Sequence, residues 1–156
     1  MNWAGKVYGL EYEDFDDFSS LPLDKCSQVL GVCFVKNNII VIRGKNDKVW
    51  GLPGGTVEKG ESIDQTFRRE VTEETNYKAI KWLPIGAQKV IMPDGNFVYQ
   101  LRVCALVEKI GEFVSDPGGQ VVENKLINPL DYKKYFDWGE IGERIIRRGI
   151  DLSKKL

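Results

Sequence analysis

The stretch RREVTEET, Arg68 to Thr75, places three glutamates, Glu70, Glu73 and Glu74, within five residues. Ser62 followed three residues later by Gln65 forms a capping box, so a helix is expected from near Ser62 to about Thr75. Like charges at helical spacing weaken a helix. At about 100° per residue Ile63, Phe67 and Val71 share one face, which Glu70 and Glu74 overlap and Glu73 flanks. Asp64, Gln65, Arg68 and Thr72 take the opposite arc, so the three acids lie at the edge of the core rather than on a wet face. Carboxylates converging there are tolerable only when protons or a cation neutralise them. Oxygen-only donors select hard divalent ions, Mg²⁺ above all, whose shell substrate phosphates can complete. A salt-bridge network through Arg69, one turn before Glu73, and nearby Lys59 would account for the same acids without any metal.

The loop before the helix, GLPGGTVEKGE from Gly51 to Glu61, has Pro53 followed by two adjacent glycines. Gly54 and Gly55 let backbone amides and carbonyls approach a ligand closely, and Glu61, next to the N-cap, can fold toward the same cluster. Neither the P-loop pattern nor the G-x-G-x-x-G dinucleotide turn is present.

These residues need a scaffold. Gln28–Val35 and the run IIVIRG after Asn38 read as a hairpin of two largely buried strands. A second hairpin is expected around Pro93 to Asn96, flanked by apolar runs. A strand from Val121 to Ile127 and a helix from about Trp138 to Arg148, with Ile141, Ile145 and Ile146 on one side, complete the map. Strands interrupted by helices in this order imply an α/β or α+β layered domain with a mixed sheet.

Composition narrows the chemistry. The 156 residues, 42% of them hydrophobic, suit one globular domain over residues 1–156 with no linker. Twenty-two basic and twenty-three acidic side chains leave a net charge of -1, so no domain-wide field draws the chain to nucleic acid or anionic lipid. The acidic EYEDFDD near the start and the basic tail with Arg147, Arg148, Lys154 and Lys155 read as solvated surface. There is no histidine, which excludes Ser/His/Asp and Cys/His machinery and His metal ligands. Cys26, Cys33 and Cys104 are odd in number and lack CxxC spacing, arguing against a disulfide framework or a zinc site. Met1 to Lys6 lacks the apolar run of a secretory signal, and no stretch is long enough to span a bilayer. A reducing cytoplasm is the expected setting.

From Gly55, five residues lead to Glu61, seven more to Arg69-Glu70-Val71, one to Glu73-Glu74, and then Asn76-Tyr77 follows. This pattern resembles the Nudix box of nucleoside diphosphate-X hydrolases at every acidic and basic position. Asn76 stands where the box has glycine, but a helix C-terminus wants left-handed geometry and asparagine is next best there. Phe67 is bulkier than the residue often found at its position, a packing difference. The resemblance implies an α/β/α sandwich around a central mixed β-sheet. It implies that Glu70, Glu73 and Glu74 ligate Mg²⁺ or Mn²⁺ with the Gly54 carbonyl, and that Glu61 contributes directly or through water. It further implies that Arg69 orients the glutamates and that water attacks phosphorus in a diphosphate. Glu70 is the preferred general base, with Glu123 and then Asp116 in reserve.

The group beyond the diphosphate must be read outside the box. Gly55 lies on the substrate side of the loop, and Trp50, Phe97 and Tyr99 can stack a base, although aromatic residues on strands also serve as core. Pro93, a marker position of ADP-ribose hydrolases in the family, is equally explained by its Pro-Asp-Gly turn. Three readings stand: a metal-dependent hydrolase of nucleotide-type small molecules, a nucleotide-binding module without hydrolysis, and an RNA 5′-end pyrophosphohydrolase, for which a basic surface is missing. The family precedent makes a homodimer reasonable, and neither a membrane nor a nucleic-acid partner is expected.

Overall fold

The central strands are apolar on both faces, and a helix covers each face. The computed structural model describes residues 2–156, and Met1 of the opening stretch lies outside them. In chain order the strands are β1 (Asn2–Trp3), β2 (Lys6–Val7), β3 (Gly9–Asp14), β4 (Cys26–Val35), β5 (Asn38–Gly44), β6 (Trp50–Gly51), β7 (Gly54–Thr56), β8 (Tyr77–Ile91), β9 (Phe97–Lys109) and β10 (Val121–Ile127). Helix α1 (Ile63–Thr75) falls between β7 and β8, and α2 (Gly139–Ser153) follows β10.

The main sheet runs β10-β5-β4-β9-β8-β3, with β6 on β5 and β7 on β4, while β1 and β2 pair with each other. All these pairings are antiparallel except that of β4 with β9, so the sheet is mixed as expected. Side chains alternate across it with a period of two. Val29, Cys33, Ile40, Leu101, Val103 and Ala105 join Phe67 and Val71 of α1 in one core. Val32, Phe34, Ile39, Val41 and Cys104 join Ile145 and Ile146 of α2 in the other. Each of the Val, Leu, Ile and Phe side chains among them contributes roughly 1.5–3 kcal/mol when fully buried, and the result is the α/β/α sandwich that the box resemblance implies.

Local chemistry explains the turns. β4 turns into β5 through Lys36 and Asn37, with Lys36 at φ 55° and Val35 opposite Asn38. β8 turns into β9 at Pro93–Asn96, where Gly95 has φ 89° and Met92 N–H donates to Asn96 O at 2.7 Å. Ser62 and Gln65 complete the capping box, and Asn76 closes α1 in the left-handed region at φ 57°. Phe67 fits because Gly31 lies beneath it: a Cβ on Gly31 would sit 2.4 Å from its ring.

Two expectations are corrected. α2 continues to Ser153, past Arg148, because Ile150 and Leu152 extend its apolar side onto the same core. The box loop is not free loop, since its glycines form β7 against β4. The acids of EYEDFDD and most of the basic tail lie at the surface as expected, with Glu11 to Asp14 on edge strand β3 and the partly buried Arg148 bonded to Asp16. Cys26, Cys33 and Cys104 are buried and unpaired.

Candidate active site

β7 and α1 build the acidic site between them. Pro53 O accepts Gly31 N–H at 2.8 Å, and β7 pairs with β4, so the loop is pinned to the sheet before the helix begins. Gly54 adopts φ 141°, and a Cβ there would lie 2.1 Å from Val29 O. A Cβ on Gly55 would lie 2.5 Å from the Glu70 carboxyl carbon. Gly54 is thus required by its φ and by backbone neighbours, whereas Gly55 gives its room to the carboxyl end of the box's own Glu70.

Glu74 is the most enclosed acid, 6% exposed, and accepts the Gly54 N–H at 2.7 Å. Burial pushes its carboxyl up to about 8; the Gly54 N–H opposes this, and the charges of Glu70, Asp116 and Glu73 reinforce it. Glu70 is half-buried and raised above its ordinary value, again first by burial, with Arg69 opposing. Glu73 is half-buried at the outer side of the helix.

Arg69 is the hub of this cluster. Its Nε and Nη2 donate to Glu61 at 3.0 and 2.9 Å, and its Nη1 donates to Glu70 at 2.8 Å and Glu73 at 3.5 Å. The hydrogen bonds from Arg69 hold Glu61 below the usual carboxylate range, and those same acids hold Arg69 charged. Arg69 thus forms the salt-bridge network that is the alternative account of these acids, and Lys59 stays outside it.

Among the described residues, no three carboxylate, thiolate or imidazole side chains already converge as a metal cage. Yet Glu70, Glu73 and Asp116 are near enough to raise the proton affinity of Glu74 by their charge. Arg69 reconciles the two facts by drawing Glu61, Glu70 and Glu73 toward its guanidinium, while Glu74 stays on Gly54 and forms no ion pair among the described residues. A buried carboxylate without a cationic partner, beside further oxygen donors, is the donor set that suits a hard divalent ion. Glu61, Glu70 and Glu73 would have to turn from Arg69 to join Glu74 in such a shell.

The remaining expected residues divide. Trp50 lies with Glu74, Gly51, Gln120 and Val121 around a cleft of about 310 Å³, and packs edge-to-face on Tyr135 at 5.8 Å. Tyr99 is not in that cleft. It lines another cavity with Glu11, Tyr12 and Lys89, packs against the α1-side core and meets Phe97 edge-to-face at 5.8 Å. Glu123 does not join the acids: it pairs with Arg43 at 2.7 Å on an exposed part of β10, because the β10–β5 register sets the two side by side.

Asp116 is closer to the site than sequence reasoning placed it. It is buried and accepts N–H groups from Gly118, Gln120 and Val121 at 2.8, 3.0 and 3.0 Å. It thereby folds the DPGG turn so that its charge acts on Glu70 and Glu74 and Gln120 lines the Trp50 cleft. The readable signal is an aspartate before Pro-Gly-Gly, which bonds the backbone ahead of it.

With this geometry in place, comparison with known proteins defines the class. Residues 26–148, well over half of the chain, match the family model of the NUDIX domain, and the chain belongs to that family. It is 42% identical over 48 residues to a Bacillus subtilis (strain 168) protein with the provisional name 8-oxo-dGTP diphosphatase, covering 31% of this chain and 32% of that one. It is 33% identical over 73 residues to the RNA pyrophosphohydrolase of Bartonella clarridgeiae, covering 42% of each. The matched stretches span only 24% to 45% of the curated relatives' lengths. A mutant of the Bacillus subtilis pyrophosphohydrolase BsRppH shares the fold with a TM-score of 0.70 at 18% identity, over 97% of this chain and 94% of that one.

Proposed function

We propose that this chain hydrolyses the diphosphate bond of a nucleoside polyphosphate or nucleoside diphosphate-X compound, by water attack on phosphorus, with the help of Mg²⁺ or Mn²⁺. The observation that carries this reading is the buried Glu74 carboxyl group, without a cationic partner among the described residues and anchored on the box loop, with no acid of the box missing. Glu70, Glu73 and Glu74, with the Gly54 carbonyl and Glu61, would hold the ion, which supplies charge screening for the polyphosphate and an acidified water.

The chain's own residues supply the rest. Arg69 Nη1 occupies Glu70 Oε1 and leaves Oε2 to take the proton of the attacking water. Burial raises the proton affinity of Glu70, which brings it nearer to what a base at neutral pH requires. Glu123, committed to Arg43, is the weaker candidate for that role. Trp50, beside Glu74 on the cleft wall, offers a flat face to a nucleoside. Three buried, unpaired thiols agree with a reducing cytoplasm, and among the described residues no helix is long and apolar enough to cross a membrane.

A second reading, hydrolysis at RNA 5′ ends, draws on the similarity to an RNA pyrophosphohydrolase. A panel of dNTPs, oxidised dNTPs, ADP-ribose, nucleotide sugars and 5′-triphosphate RNA, each with Mg²⁺ and Mn²⁺, tests both readings. Release of phosphate or nucleoside monophosphate from the small substrates is expected. Turnover of RNA alone would replace the first reading by the second, and binding without turnover of any substrate would leave a nucleotide-binding module.

A further inference from the structure

The hairpin that leads into the sheet stands exposed at one end of edge strand β3. Strands β1 and β2 join through Ala4 and Gly5, at φ 51° and 74°, and their register sets Trp3 opposite Lys6. Directly opposed side chains share one face, so the indole and the ammonium project together. Residues 2–7 are exposed throughout, Trp3 to 67%, and Trp3 meets the Tyr8 ring edge-to-face at 6.4 Å. The charge of Lys6 reaches Asp94, which places this arm beside the β8–β9 turn. No acid lies between Asn2 and Tyr8. A two-stranded hairpin on its own is marginally stable at best in water, and tryptophan is among the residues that carry binding energy at interfaces.

Past the other end of β3, on the α1 face, lies a cavity of about 540 Å³. Phe18, Leu23, Ile63 and Trp82 form its apolar wall, with the Phe18 and Trp82 rings 6.3 Å apart and 30° from parallel. Leu23 is 76% exposed at its mouth. Four acids and no base complete the lining. Three of them are paired from outside the cavity: Asp16 with Arg148, Glu61 with Arg69 and Asp64 with Arg68. The fourth, Asp17, is exposed, accepts the Ser19 N–H at 2.7 Å and forms no ion pair among the described residues. A cationic aromatic arm and an acidic aromatic hole thus complement each other in charge and in kind.

The arm cannot fill the cavity of its own chain. β3 pairs Gly9 with Ile91 and Asp14 with Gly86, so a strand of six residues, about 20 Å, separates the two, whereas the hairpin reaches only about 10 Å. A twofold axis through the middle of β3 exchanges the ends of the strand and sets each arm at the other copy's cavity, an isologous contact made twice. We propose that two copies of this chain associate about that axis, the Trp3 of each seated between Leu23 and the Phe18–Trp82 wall of the other, with Lys6 beside Asp17. Glu11, Glu13 and Asp14 keep the two edge strands from pairing into one sheet, so the arms make the contact. A basic segment of a different protein would fill the same cavity but leave the hairpin bare.

Sedimentation velocity of the full chain tests this, with Trp3→Ser, Leu23→Glu and Lys6→Glu beside the wild type. The wild type is expected to pass from monomer to dimer between about 1 and about 200 µM, the range of a small interface. Trp3→Ser and Leu23→Glu should each weaken association at least about tenfold. Both positions are exposed, so Tm should not change. Lys6→Glu should weaken association less, and adding Asp17→Lys to it should recover part of the loss. None of these readouts involves turnover, so they are independent of the hydrolase reading. A wild type that stays monomeric throughout, a dimer that survives both Trp3→Ser and Leu23→Glu, no recovery on reversing both charges, or a mass that grows beyond the dimer would each overturn the proposal.

Discussion

Helices α1 and α2 cover opposite faces of one sheet and do opposite work. α2 buries Ile145 and Ile146 in an apolar core and sends its arginines outward to Asp14, Asp16 and the Ile85 carbonyl. α1 buries Phe67 and Val71 but also Thr66, Thr75 and Glu74, and crowds Glu70 and Glu73 beside them around Arg69. The lesson is that α1 gives up stability to hold charge, whereas α2 is a clamp whose packing keeps the sheet, and so the box loop, in register.

The comparison can be broken most severely at the acids. Glu74→Gln and Glu73→Gln are each expected to lower kcat by at least about a hundredfold with little change in secondary structure, since the amide keeps the volume and removes a charged oxygen. Steady-state kinetics with Mg²⁺ beside circular dichroism measures both, and full activity in the two variants would return the cluster to an ordinary salt-bridge network. Gly55→Ala should follow, lowering kcat by about tenfold or more, because the new methyl displaces the Glu70 carboxyl. On the α2 side the sign is reversed: Ile145→Ala should cost about 2–5 kcal/mol in urea denaturation and leave kcat at low temperature within about twofold.

Titration sharpens the contrast. In EDTA, folded Glu74 keeps its proton up to about pH 8, whereas in the unfolded chain it ionises near its ordinary value of 4.5. Between those values the native state binds more protons than the unfolded one, so stability falls as pH rises from 4.5 to 8 and levels off above. The loss should be on the order of a few kcal/mol, with Glu70 adding in the same direction. Thermal melts in EDTA should show Tm dropping across this window in the wild type and a flatter profile in Glu74→Gln; a Tm that rises with pH there would refute the assignment. The smallest effect belongs to Glu123→Gln, which breaks an exposed pair with Arg43 and should change stability by less than about 0.5 kcal/mol and kcat by less than about twofold.

Much of this contrast was legible beforehand wherever it depends on neighbours in sequence. The capping box, the αL cap at Asn76, the PDGN turn and the bounds of β10 all follow from local chemistry, and each has its expected form. The helical period of α1 placed Glu74 and Glu70 at the core edge, where they lie. Trp50 reached the acidic cleft and Tyr99 did not, because strand aromatics look alike in sequence and only the sheet order separates β6 from β9. Glu123 and Asp116 exchanged importance for the same reason: a register shift within β10 turns one toward Arg43, while backbone bonds fold the other back toward α1.

By itself the sequence determined the spacing of the acids, the start and stop of their helix, and the two-sided apolar strands, since these depend on the 3.6 and 2.0 periods of the chain and on caps a few residues long. Only the tertiary structure decided that Glu74 would be sealed against the Gly54 amide and that Arg69 would gather Glu61, Glu70 and Glu73. It alone buried Asp116 where its charge acts on Glu74. Burial and charge coupling depend on which distant segments meet, and that is settled by strand pairing across the sheet rather than by any local run of residues.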